Sequence, residues 1–175
     1  MKKALVVLGM VSLVAACQTT KLGEAKGLGA AAIPMDFDTP GSQFACSRIS
    51  LPLYTVEEGS AYYSDPFEVE IYPARDRSYQ IRSDIPEGNY AIKSLRCYSK
   101  ERYVINGAKS YIEHEVSLFL PIAPNEITVP NFKVTGWQKK DRFNYGVERS
   151  FGLKRKQTIE QIKSENDLTG WKLTY

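Results

Sequence analysis

The sequence predicts a mainly β protein: a single antiparallel β-sandwich of about seven strands with one short C-terminal helix. Three observations carry that expectation. Apolar and polar residues alternate over short runs, and clusters of Pro, Gly, Asn and Asp punctuate those runs. Aromatics make up 11% of the 175 residues, with eleven tyrosines against three methionines, and flat rings suit a pleated, half-buried surface. Only one stretch has helical spacing.

The chain is expected to divide into residues 1–16, an export signal; 17–43, an anchored tether; and 44–175, the sandwich. Lys2 and Lys3 precede an apolar run from Ala4 to Ala16, shorter than the ~20 residues that a membrane-spanning helix needs. The run ends in Leu13-Val14-Ala15-Ala16-Cys17, which resembles the lipobox of bacterial lipoproteins. That resemblance implies cleavage before Cys17, acylation of its thiol with palmitate-like chains, and attachment to a membrane without a spanning helix. Gln18 stands where, in enterobacterial lipoproteins, an aspartate signals inner-membrane retention, so the resemblance implies an outer-membrane anchor facing the periplasm. Residues 18–43 are rich in small residues, Gly and Pro and read as a spacer. Within them Gly27-Leu28-Gly29-Ala30-Ala31-Ala32 matches a dinucleotide-binding fingerprint in letters only, because no strand is expected before it and no helix after it.

The strands follow in order. Ile49, Leu51 and Leu53 alternate; Phe67, Val69 and Ile71 alternate around Glu68 and Glu70. Tyr79 and Ile81 begin a run that ends at Ile85-Pro86-Glu87-Gly88-Asn89 and resumes through Tyr90, Ile92, Leu95 and Cys97. Pro, Gly and Asn at these spacings predict a hairpin, and the slip in apolar phase after Ile92 predicts a bulge near Ser94. Val116, Leu118 and Leu120 make a further strand. Residues 121–125 turn the chain, and Ile127 to Val129 with Phe132 to Val134 are expected to run back. Tyr145 and Val147, with Phe151 and Leu153, suggest one more hairpin. The helix is expected over residues 158–168, capped by Thr158, carrying Ile159 and Ile162 on one face and stopping at Gly170. Trp171, Leu173 and Tyr175 then alternate as a docked strand.

The tract from Ser78 to Lys93, with its strand, Pro-x-Gly-x-Tyr and second strand, is similar to the core of transthyretin-like and carboxypeptidase-regulatory-like domains. The resemblance implies a small sandwich that serves as a binding or structural module. It names no activity.

With Cys17 acylated, Cys46 and Cys97 remain as a pair. An oxidising compartment favours a bridge between them, which would close a loop of roughly fifty residues and contribute on the order of 4 kcal/mol. Two free buried thiols are the alternative.

Candidate chemistry is sparse, and no enzyme, metal or cofactor is expected. His114 is the one histidine in the sequence. Glu113 and Glu115 flank it, so on a strand their side chains leave the opposite face and the three cannot close on one ion. Glu57 with Glu58, or Asp65 with Glu68, supply the residue types of a glycoside hydrolase, whose carboxylates need a set separation across a cleft. A cell-wall hydrolase is the remotest reading. Trp137, Tyr145 and Trp171, or Tyr62 with Tyr63, are candidates for a platform stacking on envelope sugars.

Charge is uneven. The formal charge of +3 belongs partly to the export signal: loss of Lys2 and Lys3 and of no acid leaves a mature chain near +1. Nucleic acid is therefore not an expected partner. Lys139, Lys140, Arg142, Lys154, Arg155 and Lys156 crowd one region and form a candidate patch for an anionic partner. The expected function is structural or protein-binding, in an outer-membrane lipoprotein of the cell envelope. The alternative is a module for an envelope glycan, lipopolysaccharide or peptidoglycan, or for a small ligand.

Overall fold

A computed structural model describes residues 22–56, 65–100, 110–140 and 142–175. The expected export signal (residues 1–16), Cys17, Gln18, Glu57, Glu58, Tyr62 and Tyr63 lie outside the described residues. The strands are β1 (Gly29–Phe37), β2 (Cys46–Thr55), β3 (Phe67–Ile71), β4 (Tyr79–Ile85), β5 (Gly88–Ser99), β6 (Tyr111–Ile122), β7 (Glu126–Thr128), β8 (Phe132–Lys139), β9 (Arg142–Arg149) and β10 (Lys172–Thr174); helix α1 (Gly152–Glu165) lies between the last two.

The mainly β expectation holds, with a C-terminal helix, but the all-antiparallel sandwich is corrected. One sheet is antiparallel, in the order β3-β2-β5-β6; the other has six strands and is mixed. In the mixed sheet β1 pairs antiparallel with β4 but parallel with both β7 and β8, and β10 is parallel to β7. The registers explain how β1 holds three partners. β4 covers Gly29 to Pro34 on one side, while Ala30 and Ala31 face β7 and Met35 to Phe37 face β8. β7 and β8 thus occupy one strand position, interrupted at Pro130, where a missing N–H breaks the ladder.

The tether expectation is corrected at its C-terminal end, because Gly29 to Phe37 form a strand inside the core. Ala30, Ala31 and Ala32 are fully buried. Both faces of β1 are covered, so the polar alternation that marks a half-buried strand is missing. Ala30 and Ala32 face Ile159 and Ile162 of α1, and the lack of larger side chains lets the helix approach. Ala31, Ile33, Met35 and Phe37 face the antiparallel sheet. The three layers are therefore helix, mixed sheet and antiparallel sheet.

The expected hairpin at Pro86 is also corrected. β4 belongs to the mixed sheet and β5 to the antiparallel one, so the Pro-Glu-Gly-Asn tract carries the chain across the sandwich. The same holds after β6, whose successor β7 joins β1 instead of running back along β6. The bulge is where the phase slip put it, between Ile92 and Ser94. The hairpin expected of Tyr145 and Val147 with Phe151 and Leu153 is corrected: Tyr145 and Val147 lie in β9, which pairs back on β8, while Phe151 and Leu153 leave the sheet at the start of α1. Gly152 takes a φ of 62° and turns the chain into α1, six residues before the expected start. Thr158 lies inside the helix, its hydroxyl donating to the Lys154 carbonyl at 3.2 Å, and does not cap it. The first turns carry Leu153 to Gln157, mostly polar and solvent-facing, so apolar spacing begins only with Ile159.

Cys46 and Cys97 form a disulfide between β2 and β5, with Cα atoms 5.3 Å apart. β10 docks as expected, through Lys172 opposite Glu126 and Thr174 opposite Thr128.

Candidate interaction groove

The two sheets part along one flank. Among the described residues β6 is the outer strand of its sheet and pairs only with β5. At its start the flank is closed: the buried Tyr145 hydroxyl of β9 donates to the Ile112 carbonyl at 2.8 Å, and burial raises that phenol to about 12. Farther along β6 the flank opens. β9 ends at Arg149, β10 covers only the level of β7, and a groove of about 1000 Å³ fills the notch between them.

The groove floor and rim are built from distinct elements. Phe119 of β6, Phe151 before α1 and Tyr175 after β10 line it and are more than half exposed. Arg149 and Arg155 supply charge. Arg155 donates to the Val129 carbonyl at 2.9 Å, while its buried Nε has no hydrogen-bond partner among the described residues. Glu126 on the rim accepts from the Lys172 ammonium and the Thr174 hydroxyl, which hold its carboxyl below the usual range.

Strand alternation decides what the β6 edge offers. The Asn89 carbonyl accepts from Val56, pointing away from β6, so its partner Pro121 also points away from β5. The Pro121 carbonyl is taken by the Thr128 hydroxyl at 2.9 Å. Two residues back, the N–H and C=O of Phe119 must point the same way, into the groove. Among the described residues neither has a hydrogen-bond partner, which leaves a backbone donor and acceptor beside apolar side chains.

The candidate basic patch is not one surface. Lys139, Lys140 and Arg142 stand at the β8–β9 turn, and Lys154, Arg155 and Lys156 on the first turns of α1. At the backbone the eight residues of β9 separate the two groups by roughly 25 Å, although the Lys154 ammonium reaches back to within 3.8 Å of Asp36 and lines a cleft with Arg75. Sequence proximity misled because a hairpin arm returns the chain to its other end.

The proposed aromatic platform does not assemble. Trp137 is 42% exposed on one face of β8, whereas Tyr145 is buried on the opposite face. Trp171 packs beside α1, its indole N–H donating to the Gly23 carbonyl at 2.8 Å. Asp65 and Glu68 do not face each other across a cleft either. Glu68 lies on the outer face of the antiparallel sheet, 3.1 Å from the Arg96 guanidinium, which also holds Glu113 at 3.1 Å. Burial pushes Glu68 above the usual carboxylate range despite Arg96. His114 is exposed, its ring 6.1 Å from that of Tyr145. Among the described residues no cluster of three His, Cys, Asp or Glu side chains is placed to hold a metal ion. Comparison with protein-family models, curated proteins and solved structures gives no match to this chain.

Sequence reading missed the groove. Phe119, Phe151 and Tyr175 lie far apart in the chain, and each looks like an ordinary strand or loop aromatic. The one local signal is Phe119, an aromatic on the polar phase of a strand whose apolar phase is Val116, Leu118 and Leu120.

Proposed function

We propose that this chain is a lipid-anchored protein of the bacterial outer membrane that faces the periplasm and acts by binding, not catalysis, holding an extended segment of an envelope protein in the groove beside β6. The observation that carries the binding role is the open edge at Phe119: a backbone donor and acceptor flanked by exposed aromatics is what strand addition uses. Arg149 and Arg155 favour a segment with an acidic residue among apolar ones. The anchor rests on the Leu13-Val14-Ala15-Ala16-Cys17 motif. The Cys46–Cys97 bridge supports an oxidising compartment. Leu22 already packs on the domain, so an acylated Cys17, five Cα steps away, would hold it within about 18 Å of the lipid.

A photo-crosslinking side chain at Phe119, introduced in cells, tests the binding role. A discrete membrane-fraction adduct is expected from position 119, absent from the exposed Tyr72 position and lost when Arg155→Glu is added. Absence of an adduct from Phe119, or one that Tyr72 reproduces, would overturn it.

A further inference from the structure

The strands share one axis, and charge is sorted along it. Gly29, Ile85, Gly88 and Ile122 mark one end, where the tether joins: Gly27 donates to Asn125 Oδ1, and Gly23 is held by Trp171. Asp65, Asp84, Glu87 and Glu126 lie toward that end, and its cations Lys26, Arg82 and Lys172 are paired with Glu24, Asp84 and Glu126. Phe37 pairs with Gly136 at the other end, and the β8–β9 turn projects three residues farther. There Arg75, Lys100, Lys139, Lys140 and Arg142 are all exposed, against Asp36, Asp38 and Asp76 among the described residues. None of Lys139, Lys140 and Arg142 makes an ion pair with a described carboxylate. The two poles are roughly 40 Å apart at ordinary strand rise.

Trp137 adds a second chemistry to the basic pole. It shares a face of β8 with Lys139, and Arg142 sits opposite Lys139 across the hairpin, so the indole and two cations project from one side. An exposed ring stacks on the apolar face of a sugar, and the cations match carboxylates on the same polymer.

We infer that this pole docks on a carboxylate-bearing glycan polymer of the cell wall. The placement rests on the lipid anchor proposed above. A tether of about 18 Å keeps the acidic pole toward the membrane and turns the basic pole away from it, so the partner lies across the gap from the anchoring lipid. The anionic headgroups of the anchoring membrane lie on the wrong side of the domain to be the ligand.

The test is co-sedimentation of the full chain, purified in detergent, with isolated peptidoglycan sacculi. Retention is expected at low salt and falls as salt screens the contact. Combined Lys139→Glu and Arg142→Glu is expected to weaken it at least about tenfold, the size of effect that charge complementarity carries at an interface. Trp137→Ala should weaken it too, and so should amidation of the sacculus carboxylates, whereas Lys156→Glu, in a cleft beside Tyr175, should not. Circular dichroism of each variant excludes misfolding. No retention at low salt, or retention that survives the Lys139 and Arg142 reversals, would overturn the inference. The assay does not use the anchor, so its failure is separate from failure of the lipidation proposal.

Discussion

The hydroxyl of Tyr90 donates to the carbonyl of Pro86 at 2.8 Å, tying the first turn residue of the sheet crossing to the strand that leaves it. Tyr90 is 4% exposed, and burial raises its phenol above the ordinary value. The bond spans the point where the chain passes from the mixed sheet to the antiparallel one. Tyr90→Phe keeps the ring and leaves the carbonyl without this donor. Urea unfolding is expected to show a loss of about 1–2 kcal/mol; an unchanged midpoint would mean the corner is held by packing alone.

The disulfide joins neighbouring strands across 51 residues of sequence. Replacing Cys46 and Cys97 with Ser is expected to lower stability by about 4 kcal/mol, the loop-closure entropy the bridge removes from the unfolded chain. Mass measurement under alkylation without reductant should find neither of these thiols modified. Alkylation at both would contradict the bridge.

Gly136 sits where β8 crosses the Phe37 and Phe44 rings, which meet edge-to-face with centroids 5.3 Å apart. A Cβ there would lie 2.6 Å from Phe37 and 2.8 Å from Phe44. Gly136→Ala is therefore expected to destabilise by about 1–3 kcal/mol through overpacking, whereas Gly146→Ala, whose added Cβ meets nothing nearer than 4.0 Å, should be close to neutral. Thermal unfolding of the two variants checks the contrast.

Asp36 accepts from Lys133 at 2.8 Å, and that hydrogen bond, assisted by the charges of Lys133 and Lys154, holds its carboxyl below the ordinary value despite partial burial. A carboxyl depressed by folding contributes stability above its unfolded value of 3.8, and that contribution is lost as pH falls through the folded value. Asp36→Asn should lose less stability than wild type between pH 5 and pH 2. The difference should stay below about 1 kcal/mol because Asp36 is half exposed. Denaturant midpoints at the two pH values measure it, and equal acid slopes would contradict the assignment.

What was legible in the sequence followed burial geometry. Strands covered on one face alternate, so β3, β5 and β6 could be read, and the slip at Ser94 exposed the bulge. β1 was hidden because α1 covers one face and the antiparallel sheet the other, which turns its pattern into an unbroken run of small and apolar residues. The sheet crossings at Pro86 and Pro124 carry the same turn residues as hairpins, and only pairing partners distinguish the two. The cysteine pair was readable because only Cys46 and Cys97 remain once Cys17 is set aside with its lipobox-like motif. The groove is assembled from Phe119, Phe151, Arg155 and Tyr175, which come together only once β9, α1 and β10 share an edge.

The proposed lipid anchor at Cys17 is tested directly by the mass of the mature N-terminus. Cells expressing the chain should yield a protein that begins at Cys17, carries fatty acyl chains on that residue, and fractionates with the outer membrane, while Cys17→Ala abolishes both the acyl mass and the fractionation. A mature protein that begins elsewhere, or an unmodified Cys17 in a soluble fraction, would contradict it.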